Sequence, residues 1–151
     1  PNRANAFQFD TDTRNIFICA DSKRLLSAFL ELLSNAAEAD NSLRQYTGFH
    51  SHVNACGHTV TVSVTGKGSL SEINPSEMQT NPLIDADAPL TAQLSTPFFS
   101  TKENHAGLGL SIVAQVCHTH HAGFELYSRN GFTTAGITFP ILAMDDMRNT
   151  I

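Results

Sequence analysis

The chain has 151 residues, 41% of them hydrophobic and 15% charged, with a formal net charge of −5. That is one domain's worth of chain with ample material for a core, which excludes a disordered segment. Only nine Lys and Arg are spread along this acidic sequence, which excludes a binder of phosphate backbones, so no nucleic-acid partner is expected.

Two short strand-like segments open the chain, Ala6–Phe9 and Asn15–Cys19, with the polar turn Asp10-Thr11-Asp12-Thr13 between them. Asp21 then precedes Leu25, Leu26, Phe29, Leu32, Leu33, Ala36 and Ala37 at helical spacing. Asp21 suits an N-cap, so a helix is expected from Ser22 to Ala39. Two strands follow, Gly48–Val53 and the alternating, β-branched Thr59–Val64, with Gly57 in the turn between them. Residues 69–96 lose all periodicity and carry Pro75, Pro82 and Pro89, the signature of a functional lid or an unstructured connection. Order returns at Pro97-Phe98-Phe99-Ser100-Thr101-Lys102. A second helix runs from Gly107-Leu108-Gly109-Leu110 to His121, with Ile112, Val113, Val116 and His120 as its core face and Ala122-Gly123 as its stop. Strands Phe124–Ser128 and Gly136–Ile141 close the chain. Several strands and two long helices without strict βαβ alternation predict an α+β two-layer sandwich.

Three groups of residues could carry chemistry. Glu31 and Asn35 are four apart and share a helix face. A carbonyl oxygen such as that of Asn35 can ligate Mg²⁺, which is often held by few protein ligands plus substrate phosphates. A carboxylate one turn earlier can orient or deprotonate a nucleophile. Gly107 and Gly109 open a helix, where free N–H groups and the helix dipole favour phosphate. Thr101 and Lys102 follow an apolar Phe-Phe anchor and could reach a phosphate. Taken singly, each is also an ordinary feature: a solvated helix face, a tight turn, an apolar turn with an exposed lysine. Cys117-His118-Thr119-His120-His121 suggests a metal, since Cys117 and His121 share a face, but no second pair stands at zinc-finger spacing.

In their order along the chain the three groups resemble the ATP-binding catalytic domain of bacterial sensor histidine kinases, within a superfamily that includes DNA gyrase B. Asp21–Ala39 is similar to the N box, Pro97–Lys102 to the F box and Gly107–Val113 to the G2 box. The end of the second helix and the two closing strands are similar to that family's last elements. The resemblance implies a Bergerat-type fold, a mixed and mostly antiparallel sheet with helices on one face, over a single domain spanning residues 1–151. It implies ATP and Mg²⁺ as cofactors, with Asn35 on the metal. Gly107, Leu108, Gly109, Leu110, Gly66, Gly68 and Lys102 are expected around the nucleotide, Glu31 is the expected catalytic group, and residues 69–106 are the expected lid. The implied activity is transfer of the γ-phosphoryl group of ATP to a histidine. That histidine belongs to a dimerisation (histidine phosphotransfer) domain of the same protein, for which Pro1–Ala20 is too short. A response regulator is the next partner in such a phosphorelay.

One departure stands out. The family's G1 box, Asp-x-Gly-x-Gly, falls on Val64-Thr65-Gly66-Lys67-Gly68. The glycines fit, but Val64 replaces the carboxylate that meets the adenine amino group. Asp85 or Asp87 could supply that group from the long connection. His105 also replaces a glycine before the G2 core. The expectation is weak ATP affinity. The alternative is a degenerate, pseudokinase-like domain acting through protein contacts.

Cys19, Cys56 and Cys117 are too few and too scattered for a disulfide framework and fit a cytoplasmic setting. No apolar run reaches the ~18–20 residues of a membrane span, so no membrane contact is expected of this piece. The start at Pro1, without a leader, reads as a fragment of a longer protein, which leaves open whether the whole is anchored in the inner membrane.

Overall fold

A computed structural model of the chain describes residues 8–11, 16–39, 48–54, 57–68, 90–96 and 107–142. Five strands, β1 (Gln8–Thr11), β2 (Gly48–Val53), β3 (Thr59–Lys67), β4 (Gly123–Arg129) and β5 (Phe132–Pro140), form one sheet in the order β1-β2-β3-β5-β4. β1 pairs parallel with β2, and every other pair is antiparallel. A parallel neighbour needs a crossover, and here that crossover carries α1 (Ser22–Ala39). The short helix α2 (Leu90–Leu94) and the helix α3 (Gly109–Thr119) precede the closing hairpin. This is the expected mixed, mostly antiparallel α+β arrangement.

The β3–β5 register explains the two faces of the sheet. Val60, Val62 and Val64 stand opposite Phe139, Ile137 and Ala135. With period 2, all six side chains point to one face, where they join Ala28 and Leu32 of α1 and Val113, Val116 and Cys117 of α3 in the core. The residues between them point the other way. There Thr61 Oγ1 bonds Thr138 Oγ1 at 2.8 Å and Thr65 Oγ1 bonds Thr134 Oγ1 at 2.9 Å. α1 packs on β3 and against α3, and α3 reaches β4, so the two long helices share the apolar face.

Local chemistry sets the helix ends. Asp21 Oδ1 accepts the N–H groups of Lys23 (2.9 Å) and Arg24 (3.1 Å) and caps α1 as expected. α3 ends in a Schellman motif: Ala122 N–H bonds the Cys117 carbonyl at 2.9 Å and His121 N–H bonds the His118 carbonyl at 3.3 Å. The residue in the left-handed region is His121 (φ 52°). Gly123, expected to stop the helix, instead begins β4.

The structure corrects several expected boundaries. β1 runs through Asp10 and Thr11, where the sequence predicts a turn. Residues 16–20 join no ladder; one bond, from Leu142 N–H to the Phe17 carbonyl at 2.9 Å, ties them to the end of β5. β3 continues past Val64 to Lys67. β4 and β5 extend to Arg129 and back to Phe132 because Asn130 (φ 53°) and Gly131 (φ 77°) form a two-residue turn. Within the connection read as unstructured, α2 lies along the edge strand, and Thr91 Oγ1 accepts the Leu126 N–H at 3.3 Å. Residues 69–89 lie outside the described residues.

Candidate functional site

The site forms where α1 meets the start of α3. Residues 25, 28, 32 and 36 of α1 turn to the core, which leaves Glu31 and Asn35 on the flank beside α3. Both are half-buried. A side chain added to Gly109, the first residue of α3, would find Glu31 Oε2 at 2.8 Å and Asn35 Nδ2 at 3.6 Å. The two polar residues of α1 and the opening glycine of α3 therefore meet at one place. Only glycine fits there without displacing the carboxylate.

Gly107, at φ 64°, turns the chain into that helix in the left-handed region, where glycine is unstrained. Leu108 is the N-cap but makes no side-chain capping bond, and the first turn holds no acidic residue. The free N–H groups of this helix start are therefore uncapped by their own element. Leu108 is partly exposed, and Leu110 packs against the core.

Gly66 approaches from the sheet. A side chain at this position would meet the Ala36 Cβ at 2.7 Å and its Cα at 2.9 Å. The end of β3 thus lies against the α1 backbone one residue beyond Asn35. Gly68 (φ 132°) sits farther along. Its N–H bonds the Gly131 carbonyl at 2.9 Å and its carbonyl accepts Thr133 Oγ1 at 3.0 Å, tying it to the β4–β5 turn. Val64 is 2% exposed and belongs to the apolar core, so its side chain offers no hydrogen-bond acceptor. Lys102, the F-box residues, Asp85, Asp87, His105 and most of the expected lid lie outside the described residues.

The donor set suits Mg²⁺: a carboxylate and a side-chain amide supply hard oxygen ligands, and the uncapped helix start supplies N–H groups for phosphate. The Cys117–His121 segment has other work. Cys117 is buried among the core residues, and burial pushes its thiol up to about 11. His120 accepts the Asp21 N–H at Nε2 (2.9 Å) while its Nδ1 lies 2.7 Å from the Val116 carbonyl. Helical spacing assigns this histidine to the core face of the helix; in the structure it ties the end of α3 to the start of α1. Helical spacing alone could not reveal a partner 99 positions away in sequence.

Comparisons with known proteins agree with this architecture. The family model described as histidine kinase-, DNA gyrase B-, and HSP90-like ATPase matches residues 20–143, and the chain belongs to that family. The sensory histidine kinase/phosphatase NtrB of Rhizobium leguminosarum bv. phaseoli is 30% identical over 128 residues, 82% of this chain and 32% of that protein. NtrB of Rhodobacter capsulatus is 28% identical over 124 residues, 80% of this chain and 33% of that protein. The chain thus spans about a third of the length of these curated relatives. The catalytic domain of histidine kinase ThkA, solved in a nucleotide-free form, is 26% identical with a TM-score of 0.65, over 89% of this chain and 77% of that one. The fold is the Bergerat-like fold of histidine kinase catalytic domains. Nothing among these similarities favours the non-catalytic alternative.

Proposed function

We propose that this chain is the catalytic, ATP-binding domain of a two-component sensor histidine kinase. It takes ATP with Mg²⁺ between α1 and the start of α3 and directs the γ-phosphoryl group to a histidine on a dimerisation domain of the same protein, from which a response regulator is phosphorylated. The observation that carries this reading is the convergence of Glu31 and Asn35 on Gly109, together with the family membership and the kinase relatives.

In this reading Asn35 holds the metal, and the N–H groups from Gly107 to Leu110 bind phosphate oxygens. Gly66 and Gly68 let the end of β3 approach the nucleotide, and Lys102 adds positive charge. Glu31 orients the accepting imidazole or takes its proton. Mg²⁺, when bound with the nucleotide, neutralises phosphate charge, which with positioning is the main source of rate in phosphoryl transfer. The whole chain serves as one such domain, with residues 69–106 as its lid. Among the described residues no helix is long and apolar enough to cross a membrane. We place the domain in the cytoplasm, whether or not the full-length protein is anchored in the inner membrane.

Val64 makes the expected affinity weak. An adenine amino group left unpaired in a buried site costs about 1–3 kcal/mol, roughly ten- to a hundredfold in Kd. The test is thermal unfolding in millimolar Mg-ADP. At ~100 times Kd, binding adds about 2.7 kcal/mol of stability. The expected result is a nucleotide-dependent rise in Tm that Asn35→Ala abolishes without changing the Tm of the nucleotide-free domain by more than a few degrees. No rise in the unmodified domain would contradict the reading.

A further inference from the structure

We infer that α1 pairs, antiparallel, with α1 of a second copy of this chain, through the face it turns away from the sheet. This goes beyond the nucleotide-site reading and does not depend on it.

The first observation is an apolar stripe. Leu26 and Leu30 are 60% and 55% exposed, and the half-buried Leu33 and Ala37 continue them at spacings of four, three and four. On a helix that spacing draws one line, about 16 Å long at 1.5 Å per residue. Residues 25, 28, 32 and 36 already turn to the core, and β3 and α3 pack on other faces of α1. Exposed leucines scattered singly need no partner, but a stripe at this spacing is the surface on which a second helix packs.

The charges choose the partner. Lys23 and Arg24 stand in the first turn of α1 and Glu38 in the last, while the first turn holds no acidic residue and the last no basic one. This polarity opposes the dipole of α1 itself. A second α1 running antiparallel has its dipole reversed, and each basic start meets an acidic end. With Leu30 opposite Leu33 of the other copy, Leu26 falls opposite Ala37, and Lys23 comes within two residues of the level of Glu38. Lys23, Ser27, Ser34 and Glu38 follow along one edge of the stripe, and a two-fold axis between antiparallel helices brings the same edge of each copy together. Glu31, Asn35 and Gly109 lie outside the stripe. A contact one stripe wide buries less than the ~800 Å² per partner of a standard stable interface, so the pairing is weak, with a Kd of about 0.1–1 mM.

The experiment is sedimentation equilibrium of the domain from ~10 µM to ~1 mM, at low and high salt. The variants are Leu26→Gln with Leu30→Gln, Lys23→Glu, Glu38→Lys, and the last two combined; circular dichroism checks that each is folded. The average mass of the unmodified domain is expected to rise toward that of a dimer with concentration, less steeply at high salt. The double leucine variant should associate at least about tenfold more weakly. Each single charge reversal should weaken association about fivefold, and the combined swap should restore it, because opposite charges then face each other again. Association unchanged in the leucine variant, or a combined swap no tighter than the single reversals, would overturn the proposal. So would a domain that stays monomeric throughout, which would leave the stripe to a helix of another domain or protein.

Discussion

Two glycines border the candidate site, and their neighbours differ in kind. At Gly66 the obstacle to a side chain is the backbone and Cβ of Ala36, which can move only if α1 lifts from β3. At Gly109 the obstacle is the end of the Glu31 side chain, which can swing away. Gly66→Ala should therefore destabilise the fold by about 2 kcal/mol, the ordinary penalty of overpacking, read as a lower midpoint in urea. Gly109→Ala should leave the midpoint nearly unchanged but weaken Mg-ADP binding about tenfold or more, because it displaces the carboxylate and crowds the helix start. Equal effects of the two changes on stability would show that the crowding at Gly66 is not structural. The same scale shows what residue types could and could not disclose. Glu31 and Asn35 four apart told that they share a face, and Gly107 and Gly109 told that a backbone must come close to something. That Glu31 and Asn35 meet Gly109 is a property of helix packing, invisible in either string alone.

α1 is held at its start by two devices, the Asp21 cap and the His120 tie from the end of α3. His120→Ala should cost about 1 kcal/mol, since it removes the acceptor from the Asp21 N–H. The Asp21 carboxyl is held below its ordinary value, chiefly by the Arg24 N–H it accepts and then by that of Lys23. A carboxyl whose value is depressed in the folded state stabilises that state above its unfolded value and loses the contribution as pH falls through the folded one. Asp21→Asn keeps an N-cap without the charge, so its Tm should lie below that of the unmodified protein at neutral pH. The two should converge as pH drops below about 4. The exposed Arg24–Asp21 pair at 3.8 Å adds little. Elements were legible where one signal dominated. The Asp21 cap and the apolar period gave α1 its ends, and the β-branched alternation located β3. The Asn130-Gly131 turn also has its signal in the sequence, since Asn-Gly is the strongest short hairpin cue, but the strand patterns Phe124–Ser128 and Gly136–Ile141 stop short of it on either side. The left-handed His121 had no such cue, because glycine is the residue ordinarily found there.

Across the molecule, the sheet places its best-supported strands, β3 and β5, at the centre beneath both long helices, while β1 has four residues and, among the described residues, only β2 as a neighbour. Amide exchange should follow that order, slowest in β3 and β5 and fastest in β1; β1 amides as protected as those of β5 would contradict it. Among the described residues, the two long helices lie on one face of the sheet together with the candidate site, and the paired threonines of β3 and β5 point to the other face. The class of fold was readable from the element order, but the parallel placement of β1 at the far edge was not, because nothing local in four residues specifies a non-adjacent partner. The most direct test of the central claim is a two-dimensional amide NMR titration of the domain with Mg-ADP. The account predicts that the largest shifts fall together on Glu31, Asn35, Gly66 and Gly107 to Ile112, with Thr61 and Thr138 unmoved. Shifts that leave Asn35 and Gly109 untouched, or that gather on the threonine face, would show that nucleotide does not bind where α1 meets the start of α3.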